Sequence, residues 1–320
     1  FKFRRNQNEK FKMTKDFFKR NPLFLAPLAG FSDPPLRGVV KKFGCDATVS
    51  EMISANALVF EGEKTLKMLE KNAAETPFFV QIAGSDAEII KKAVLLINKF
   101  DGIDGIDLNC GCPVPKVVKQ GAGSALLLDL PRLSRLVDTI KKYSNKKFTS
   151  AKVRLGFGAV DIENIARAVQ SAGADFIAIH GRTRAGGYSA AVDYGAIARA
   201  KRALQIPVIA NGDINSANAP AVRDLSGADA LMIGRAVIGR PWIFREIKTG
   251  ERASDALKRE VVLYHFSQML SHYGVRGVAI FRKHLHEYSK GRENAASFRE
   301  QINHVAAESE MTRLIEEFFS

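Results

Sequence analysis

The sequence contains little cysteine. Cys45, Cys110 and Cys112 are the only three among 320 residues. A sparse, odd number of cysteines argues against a secreted disulfide framework and favours a reducing compartment, so we expect three free thiols in a cytoplasmic protein. No stretch reaches the roughly 18 apolar residues of a transmembrane helix, and no apolar signal segment is present. We therefore expect a soluble protein that does not contact membranes.

Histidine is also scarce, and it is unevenly placed. Five of the six histidines lie after residue 247, which leaves His180 alone in the preceding part. His284 and His286 are the closest pair, but a helix directs residues two apart to different faces. We therefore expect no metal site. His180 falls at the end of a predicted strand, where a structural role and a functional role are equally open.

The charge balance is strongly basic, with a formal net charge of +14. Residues 1–20 carry +6, residues 21–247 carry +7 and residues 248–320 carry +1. A basic excess of this size attracts polyanions such as nucleic acid. A solvated, lysine-rich surface would give the same totals, so charge alone leaves an RNA partner open.

Eight short apolar runs alternate with helix-like stretches between residues 21 and 247. The runs are Leu23–Ala26, Ala47–Glu51, Phe78–Ile82, Gly105–Asn109, Thr149–Val153, Phe176–His180, Pro207–Asn211 and Ala230–Gly234. The clearest intervening helices are Asp86–Phe100, Pro131–Tyr143, Asp161–Gly173 and Asn215–Gly227. Eight strand–helix units of this total length predict an α/β fold, a (β/α)8 TIM barrel.

Nearly every predicted strand ends in a polar or glycine-rich phrase. In chain order these are "PLAG", "SEM", "QIAG", "NCGCP", "KVRLGF", "HGRT", "NGDI" and "GR". Barrel enzymes build their sites from the loops that follow the strands, so the phrases predict one composite site. A doubly wound sheet would explain the alternation almost as well, but it usually concentrates its glycines after the first strand.

The sequence after Lys248 shows helical patterns without strands. Three segments carry an apolar stripe opposite charged residues, "ALKREVVLYHFSQMLSHYG", "GVAIFRKHLHEYSKG" and "SFREQINHVAAESEMTRLIEEFF". They predict three helices in a small C-terminal bundle. We divide the chain into a basic N-terminal extension (1–20), a barrel domain (21–247) and a helical domain (248–320).

The last two strand ends have features of a phosphate site. Barrels commonly hold a phosphate after strands seven and eight, where glycines allow close approach of backbone N–H groups. The residues at these ends are Asn211, Gly212, Asp213, Gly234 and Arg235. Lys152 and Arg154 end strand five on one face, which suits an anionic or electron-rich ligand.

The three cysteines do not predict a metal site or a redox pair. Cys45 precedes its strand and lies roughly 20 Å along the barrel from the other two, at about 3.3 Å per residue. Cys110 and Cys112 form C-x-C rather than the usual C-x-x-C. A free thiol, with a pKa of about 8.5, is mostly protonated at neutral pH and can act as a general acid.

Taken together, the phrases resemble the tRNA-dihydrouridine synthase family from about Leu25 to the last helices. The motifs occur in the family's order: "APLAGFSDPPLR", "SEMISANAL", "VQIAGSD", "DLNCGCPVPKVVKQGAGSALL", "KVRLGF", "IHGRTR", "ANGDI" and "LMIGRAVIGRPWIF". "FRKHLHEYSKG" is similar to the helical domain of the bacterial B-type branch. The resemblance implies an FMN-bound barrel that reduces the C5–C6 double bond of a uridine in the D-loop of tRNA, with NADPH as reductant.

The resemblance also assigns roles to single residues. Cys112, in the "GCP" phrase, would be the catalytic acid, and Cys110 would only pack. Residues implied to contact the cofactor are Pro27, Leu28, Ala29, Gln81, Lys152, His180, Asn211, Gly212, Asp213, Gly234 and Arg235. Asn109 and Arg154 would orient the uracil, and Arg282 and Lys283 would bind tRNA phosphates.

Two other readings stay open at this stage. An FMN barrel that oxidises a small molecule such as dihydroorotate would share the fold and the phosphate site, but it would need neither a basic tail nor an RNA-docking domain. A non-catalytic RNA-binding protein on a degenerate barrel would not need Cys112, Lys152, His180 and Asn211. The sequence does not determine the oligomeric state, and a monomer is favoured.

Overall fold

The computed structural model describes residues 16–60 and 62–320, and within them nine parallel strands form the predicted barrel. The strands are β1 (Leu23–Leu25), β2 (Thr48–Val49), β3 (Ile53–Ser54), β4 (Phe78–Ala83), β5 (Gly105–Cys110), β6 (Phe148–Arg154), β7 (Phe176–His180), β8 (Val208–Asn211) and β9 (Ala230–Ile233). Two short strands, β2 and β3, share the second barrel position, because both pair with β4. The predicted (β/α)8 barrel is therefore confirmed.

The sheet runs in the order β1-β9-β8-β7-β6-β5-β4-β2 and curls back on itself. Phe24 forms a parallel bridge with Ala47, and the Leu25 N–H donates to the Ala47 carbonyl at 2.9 Å. These contacts join the first and second barrel positions. All carboxyl ends consequently meet at one rim, as a composite site requires.

Helices surround the barrel on the outside. They are α1 (Pro34–Lys42), α2 (Ala55–Phe60), α3 (Glu63–Leu66), α4 (Ala87–Ile97), α5 (Pro115–Lys119), α6 (Leu130–Tyr143), α7 (Ile162–Ser171), α8 (Tyr194–Ala203), α9 (Ala219–Ser226) and α10 (Ile243–Thr249). Asp33, Asp86, Asp129 and Asp193 each cap a helix by accepting a backbone N–H bond with the side chain. Such caps satisfy donors that a helix start leaves free and fix where these helices begin.

Aromatic side chains fill the end of the barrel opposite the rim. Phe18 stacks on Phe24 with ring centroids 6.0 Å apart and contacts Phe176 at 5.4 Å. Phe18 is only 4% exposed, so the described part of the predicted extension, residues 16–20, packs against the barrel through this side chain. The rest of that predicted extension, residues 1–15, lies outside the described residues.

The C-terminal domain contains four helices, not the three expected. They are α11 (Asp255–Tyr273), α12 (Arg276–Tyr288), α13 (Ala295–His304) and α14 (Glu308–Phe318). The third predicted helix is broken near Val305, whose backbone is extended and whose side chain is buried. The break lets α14 fold back, so that Phe318 stacks on Phe298 at 4.0 Å.

The helical domain packs directly on the barrel. Its apolar core includes Val39 of α1 and Trp242, which stacks on Tyr288 at 6.1 Å. Among residues 16–60 and 62–320, no helix has the length and apolar character needed to cross a membrane.

Candidate active site

A cavity of about 500 Å³ opens at the carboxyl ends of the barrel strands. It is lined by Ala26, Pro27, Leu28, Lys152, His180, Tyr188, Asn211, Gly212, Asp213, Ile214, Asn215, Gly234, Arg235 and Ala236. Nine of the eleven residues predicted to contact a cofactor are in this lining, whereas Ala29 and Gln81 are not. Five of the eight strand-end phrases contribute to this lining, whereas "SEM", "QIAG" and "NCGCP", the phrase that contains Cys112, do not.

Lys152 contributes a cation to this cavity. It lies on β6, and its Nζ donates to Asn211 Oδ1 at 2.9 Å, while Asn211 Nδ2 donates to the Met232 carbonyl at 2.8 Å. Desolvation, followed by repulsion from Arg154, lowers the pKa of Lys152 to about 8, and the carboxylate of Asp107 partly opposes this shift. At neutral pH Lys152 is therefore mostly charged and held in a fixed position.

His180 is a neutral imidazole in this setting. Burial and, next, the positive charge of Lys152 lower its pKa to about 2. Its ring packs closely on the backbone, because a Cβ built on Gly212 would lie 2.9 Å from His180 Cδ2. With φ at +125°, Gly212 also adopts a conformation that other residues rarely take. His180 can therefore serve as a hydrogen-bonding group but not as a cation for a phosphate.

A cluster of two arginines and one carboxylate forms the charged end of the cavity. Asp213 accepts a hydrogen bond from Arg182 Nη2 at 2.5 Å and another from Arg235 Nη2 at 2.5 Å. The hydrogen bond from Arg182 is the main cause that lowers the pKa of Asp213 to about 2. Asp213 thus holds the two guanidinium groups in place, and Arg235, which is 55% exposed, remains accessible to an anion.

A chain of buried hydrogen bonds connects the barrel interior to the loop that carries Cys112. Asp107 accepts bonds from Ser150 Oγ at 2.6 Å and from Gln81 Nε2 at 2.7 Å. Gln81 Oε1 accepts from Asn109 Nδ2 at 2.7 Å, and Asn109 Oδ1 accepts from the Cys112 N–H at 2.9 Å. Desolvation raises the pKa of Asp107 to about 6. This chain, which we call the Asp107 relay, fixes the start of the Cys112 loop.

The three thiols occupy different environments. Cys45 and Cys110 are buried, and desolvation raises the pKa of Cys45 to about 12 and that of Cys110 well above its ordinary value. Cys112 is only partly buried, in the loop after β5. Asn109 of β5 pairs in register with Lys152 of β6, so this loop leaves the rim beside the strand that carries Lys152. Cys112 is thus the most accessible of the three thiols.

Arg154 does not line the cavity. It is 2% exposed, and its guanidinium donates to the carbonyls of Gly111 at 2.9 Å, Thr183 at 3.0 Å and Gly187 at 3.0 Å. These bonds tie the Cys112 loop to the loop after β7. The side-chain amide of Asn109 is likewise bound within the protein: its Nδ2 donates to Gln81, and its Oδ1 accepts from the Cys112 N–H. Neither of the two residues predicted to orient a uracil is in the cavity lining, and that role stays a prediction.

The two basic residues singled out in the helical domain also have protein partners. Arg282 Nη2 donates to the Val305 carbonyl at 2.6 Å, at the break between α13 and α14. Lys283 donates to the Gly30 carbonyl, and its Nζ lies 5.3 Å from the centre of the Phe31 ring. Lys283 is therefore placed beside the loop after β1, and Arg282 within the bundle.

Sequence reasoning missed several residues of the site. Tyr188 lines the cavity, 55% exposed, with Arg154 at 5.2 Å and Arg235 at 4.8 Å from its ring centre. Arg182 and Asp107 anchor the charged cluster and the relay. Arg182 follows His180 by two residues, so the alternation of side chains along a strand could have indicated that both point to the same face. Tyr188 lies in a loop, where no such alternation predicts the direction of a side chain.

Fold and site together define a class of protein: a (β/α)8-barrel enzyme whose site, at the carboxyl ends of the strands, is cationic and suited to a phosphorylated ligand. Residues 24–320 match the family "Dihydrouridine synthase (Dus)", and the chain belongs to that family. The resemblance drawn from the eight motifs is thereby confirmed.

Similar proteins cover nearly the whole chain. A Helicobacter pylori (strain J99) protein named "Probable tRNA-dihydrouridine synthase" is 48% identical over 308 residues, which cover 95% of this chain and 94% of that protein. The tRNA-dihydrouridine synthase B of Pseudomonas putida is 38% identical over 314 residues, with coverages of 94% and 92%. The solved old yellow enzyme homologue from Zymomonas mobilis is similar in fold alone, with a TM-score of 0.56 at 13% identity over 74% of this chain and 90% of that one.

Proposed function

We propose that this protein reduces the C5–C6 double bond of a uridine in tRNA, in the D-loop, to give 5,6-dihydrouridine. The observation that carries the proposal is the juxtaposition of a partly buried thiol loop, at Cys112, with a cationic cavity at the same rim of the barrel. The family and the names of the similar proteins support the same reaction. Since tRNA is the substrate, we place the reaction in the cytoplasm.

The cavity fits FMN. Ala26, Pro27 and Leu28 provide an apolar wall for a planar ring, while Arg235 and the backbone around Gly212 provide the charge and close approach that a phosphate needs. Lys152 supplies a positive charge that favours the reduced, anionic form of a flavin. When bound and reduced by NADPH, FMN would supply the hydride that adds to C6 of the uracil.

The chain itself provides the proton. The Cys112 thiol gives its proton to C5, so that a hydride and a proton together saturate the double bond, and the thiolate left behind takes a proton from solvent. The Asp107 relay fixes the backbone N–H of Cys112 through Asn109. Cys110, buried below it, packs in the core and takes no part.

The uridine has to leave its base stack to reach the site. Leaving the stack costs least in a tRNA loop that is already short of regular pairing. Arg154 and Asn109 shape the entrance through the contacts described above. We assign the helical domain, residues 248–320, to tRNA docking, with Lys283 beside the rim and Arg282 behind it.

The decisive experiment is mass spectrometry of tRNA from a strain that lacks this gene. We expect dihydrouridine to disappear from defined positions and to return when the wild-type gene is restored. The Cys112→Ala variant should fail to restore it although the protein binds flavin. Unchanged dihydrouridine in the deletion strain, in the absence of a second enzyme of this family, would contradict the proposal.

A further inference from the structure

Three buried groups meet where the helical domain packs on the barrel. Asp33 caps α1, His265 belongs to α11 and His284 belongs to α12. They are 3%, 0% and 1% exposed. One carboxylate oxygen of Asp33 and one ring nitrogen from each histidine all lie within 4.8 Å of one another. The reaction proposed above uses none of the three.

The two histidines each leave a buried nitrogen without a partner. His265 Nδ1 lies 3.0 Å from the Tyr288 hydroxyl, which leaves Nε2 as its second ring nitrogen. Nε2 of His265 and Nε2 of His284 are both buried and have no hydrogen-bond partner. Buried polar atoms of this kind are costly, and each requires a reason.

Asp33 keeps lone pairs available for a ligand. Its Oδ1 accepts from the Leu36 N–H at 3.0 Å, and its Oδ2 accepts from the Tyr273 hydroxyl at 3.1 Å. Each carboxylate oxygen can accept more than one bond. Burial raises the pKa of Asp33. Burial therefore destabilises the charged carboxylate, and a bound cation would stabilise it.

Neutral imidazole is the form of histidine that binds metal. The deep burial of both rings favours this neutral form over the charged one.

We propose that Asp33, His265 and His284 bind a zinc ion that joins the helical domain to the barrel. Two imidazole nitrogens and one carboxylate oxygen are a ligand set that zinc accepts, with a water molecule as fourth ligand. Bonds of about 2.0–2.2 Å require ligand atoms about 3.4 Å apart, so small side-chain movements close the site. The Tyr288 hydroxyl contacts His265, and the Tyr273 hydroxyl donates to Asp33. Both hydroxyls thereby orient a ligand, as outer-shell partners of metal sites do.

This site differs from the sequence expectation, which was no metal. That expectation compared only His284 with His286, whereas the ligands come from three helices, and Asp33 is separated by more than 200 residues from either histidine. The site lies outside the catalytic cavity. Its role is to connect the loop after β1, which contributes Pro27 and Leu28 to that cavity, with α11 and α12.

Two neighbouring positive charges oppose the ion. Lys283 precedes His284 in the chain, and its ammonium group donates to the Gly30 carbonyl, three residues before Asp33. Arg37 lies in α1, the helix that Asp33 caps, and its backbone N–H donates to the Asp33 carbonyl at 3.0 Å. Because like charges repel, Lys283 weakens zinc binding, and its removal should strengthen it.

The test is a titration of the full-length protein with Zn²⁺ after treatment with a chelator. We expect one zinc ion per chain, measured by elemental mass spectrometry after dialysis, and a higher unfolding temperature with zinc than without it. The His265→Gln and His284→Gln variants should lose this zinc, while the control His304→Gln, at an exposed position, should keep it. Wild-type protein that retains no zinc, or histidine variants that retain as much as the wild type, would overturn the proposal.

Two further variants keep the test valid if the histidine variants do not fold. Tyr288→Phe preserves all three ligands and removes an outer-shell partner, so zinc affinity should fall by about 10- to 100-fold. Lys283→Gln removes the opposing charge, so affinity should rise. Unchanged affinity in both variants would mean that the zinc binds elsewhere and that a buried water molecule is the better explanation for the unpartnered nitrogens.

Discussion

Replacing Asp107 by asparagine tests the electrostatics of the Asp107 relay. The pKa of Asp107 is raised from 3.8 to about 6, mainly by desolvation. A shift of about two units corresponds to about 3 kcal/mol. Because the folded-state pKa is the higher one, the group contributes stability at low pH, and this contribution is lost as the pH rises through about 6.

The asparagine variant has no such titration. The stability of Asp107→Asn relative to wild type should therefore increase by about 2–3 kcal/mol between pH 4 and pH 8. The Ser150 hydroxyl can rotate to accept from the new amide, so Gln81 keeps its acceptor and the relay persists. Asp107→Ala is the matched control: it also lacks the titration, but it leaves Gln81 Nε2 without an acceptor, so it should be less stable than Asp107→Asn by about 1–3 kcal/mol at every pH.

Urea unfolding of the flavin-free protein at several pH values provides the measurement. The same variant should affect activity, since the Asp107 carboxylate raises the pKa of Lys152. Without it, the loss of activity at alkaline pH should begin at a lower pH than in the wild type. A stability difference between Asp107→Asn and wild type that stays constant from pH 4 to pH 8 would refute the assigned pKa and its cause.

Three further predictions concern the reaction and the RNA. Cys112→Ala should lower dihydrouridine formation by at least about 100-fold with flavin still bound, while Cys110→Ala should stay within about threefold of wild type, as shown by product mass spectrometry. Lys152→Met should make the flavin midpoint potential more negative, whereas Lys152→Arg should largely preserve it; equal potentials in all three proteins would remove the proposed role of the cation. The affinity for tRNA should fall by more than about tenfold between 50 and 200 mM salt, and an affinity indifferent to salt would contradict electrostatic docking.

The barrel and most of its cavity could be predicted from the sequence because both depend on local patterns. A buried parallel strand is an apolar run, and the residue that ends it reaches the rim. His180, Asn211 and Gly212 therefore appear in the cavity as their strand-end positions indicated. Eight repetitions of this pattern made the overall architecture clear even though single boundaries differ by up to four residues.

The details that could not be predicted depend on partners far away in the chain. Arg154 ends a strand beside the cavity, but carbonyls of two other loops bind its guanidinium, and it is not in the cavity lining. Val305 interrupts a good helical pattern because tertiary packing favours an extended backbone there. Asp33, His265 and His284 come together only because the two domains pack against each other. The periodicity of a single segment does not predict such packing.

Product analysis of a single reaction tests the central claim most directly. Purified protein, FMN, NADPH and unmodified tRNA transcript should yield tRNA in which one kind of uridine has gained two hydrogen atoms, located by mass spectrometry of nuclease fragments. The Cys112→Ala variant, loaded with the same amount of flavin, should yield almost none. Protein that binds flavin and consumes NADPH but leaves every uridine unchanged would contradict the account, as would full activity in the variant.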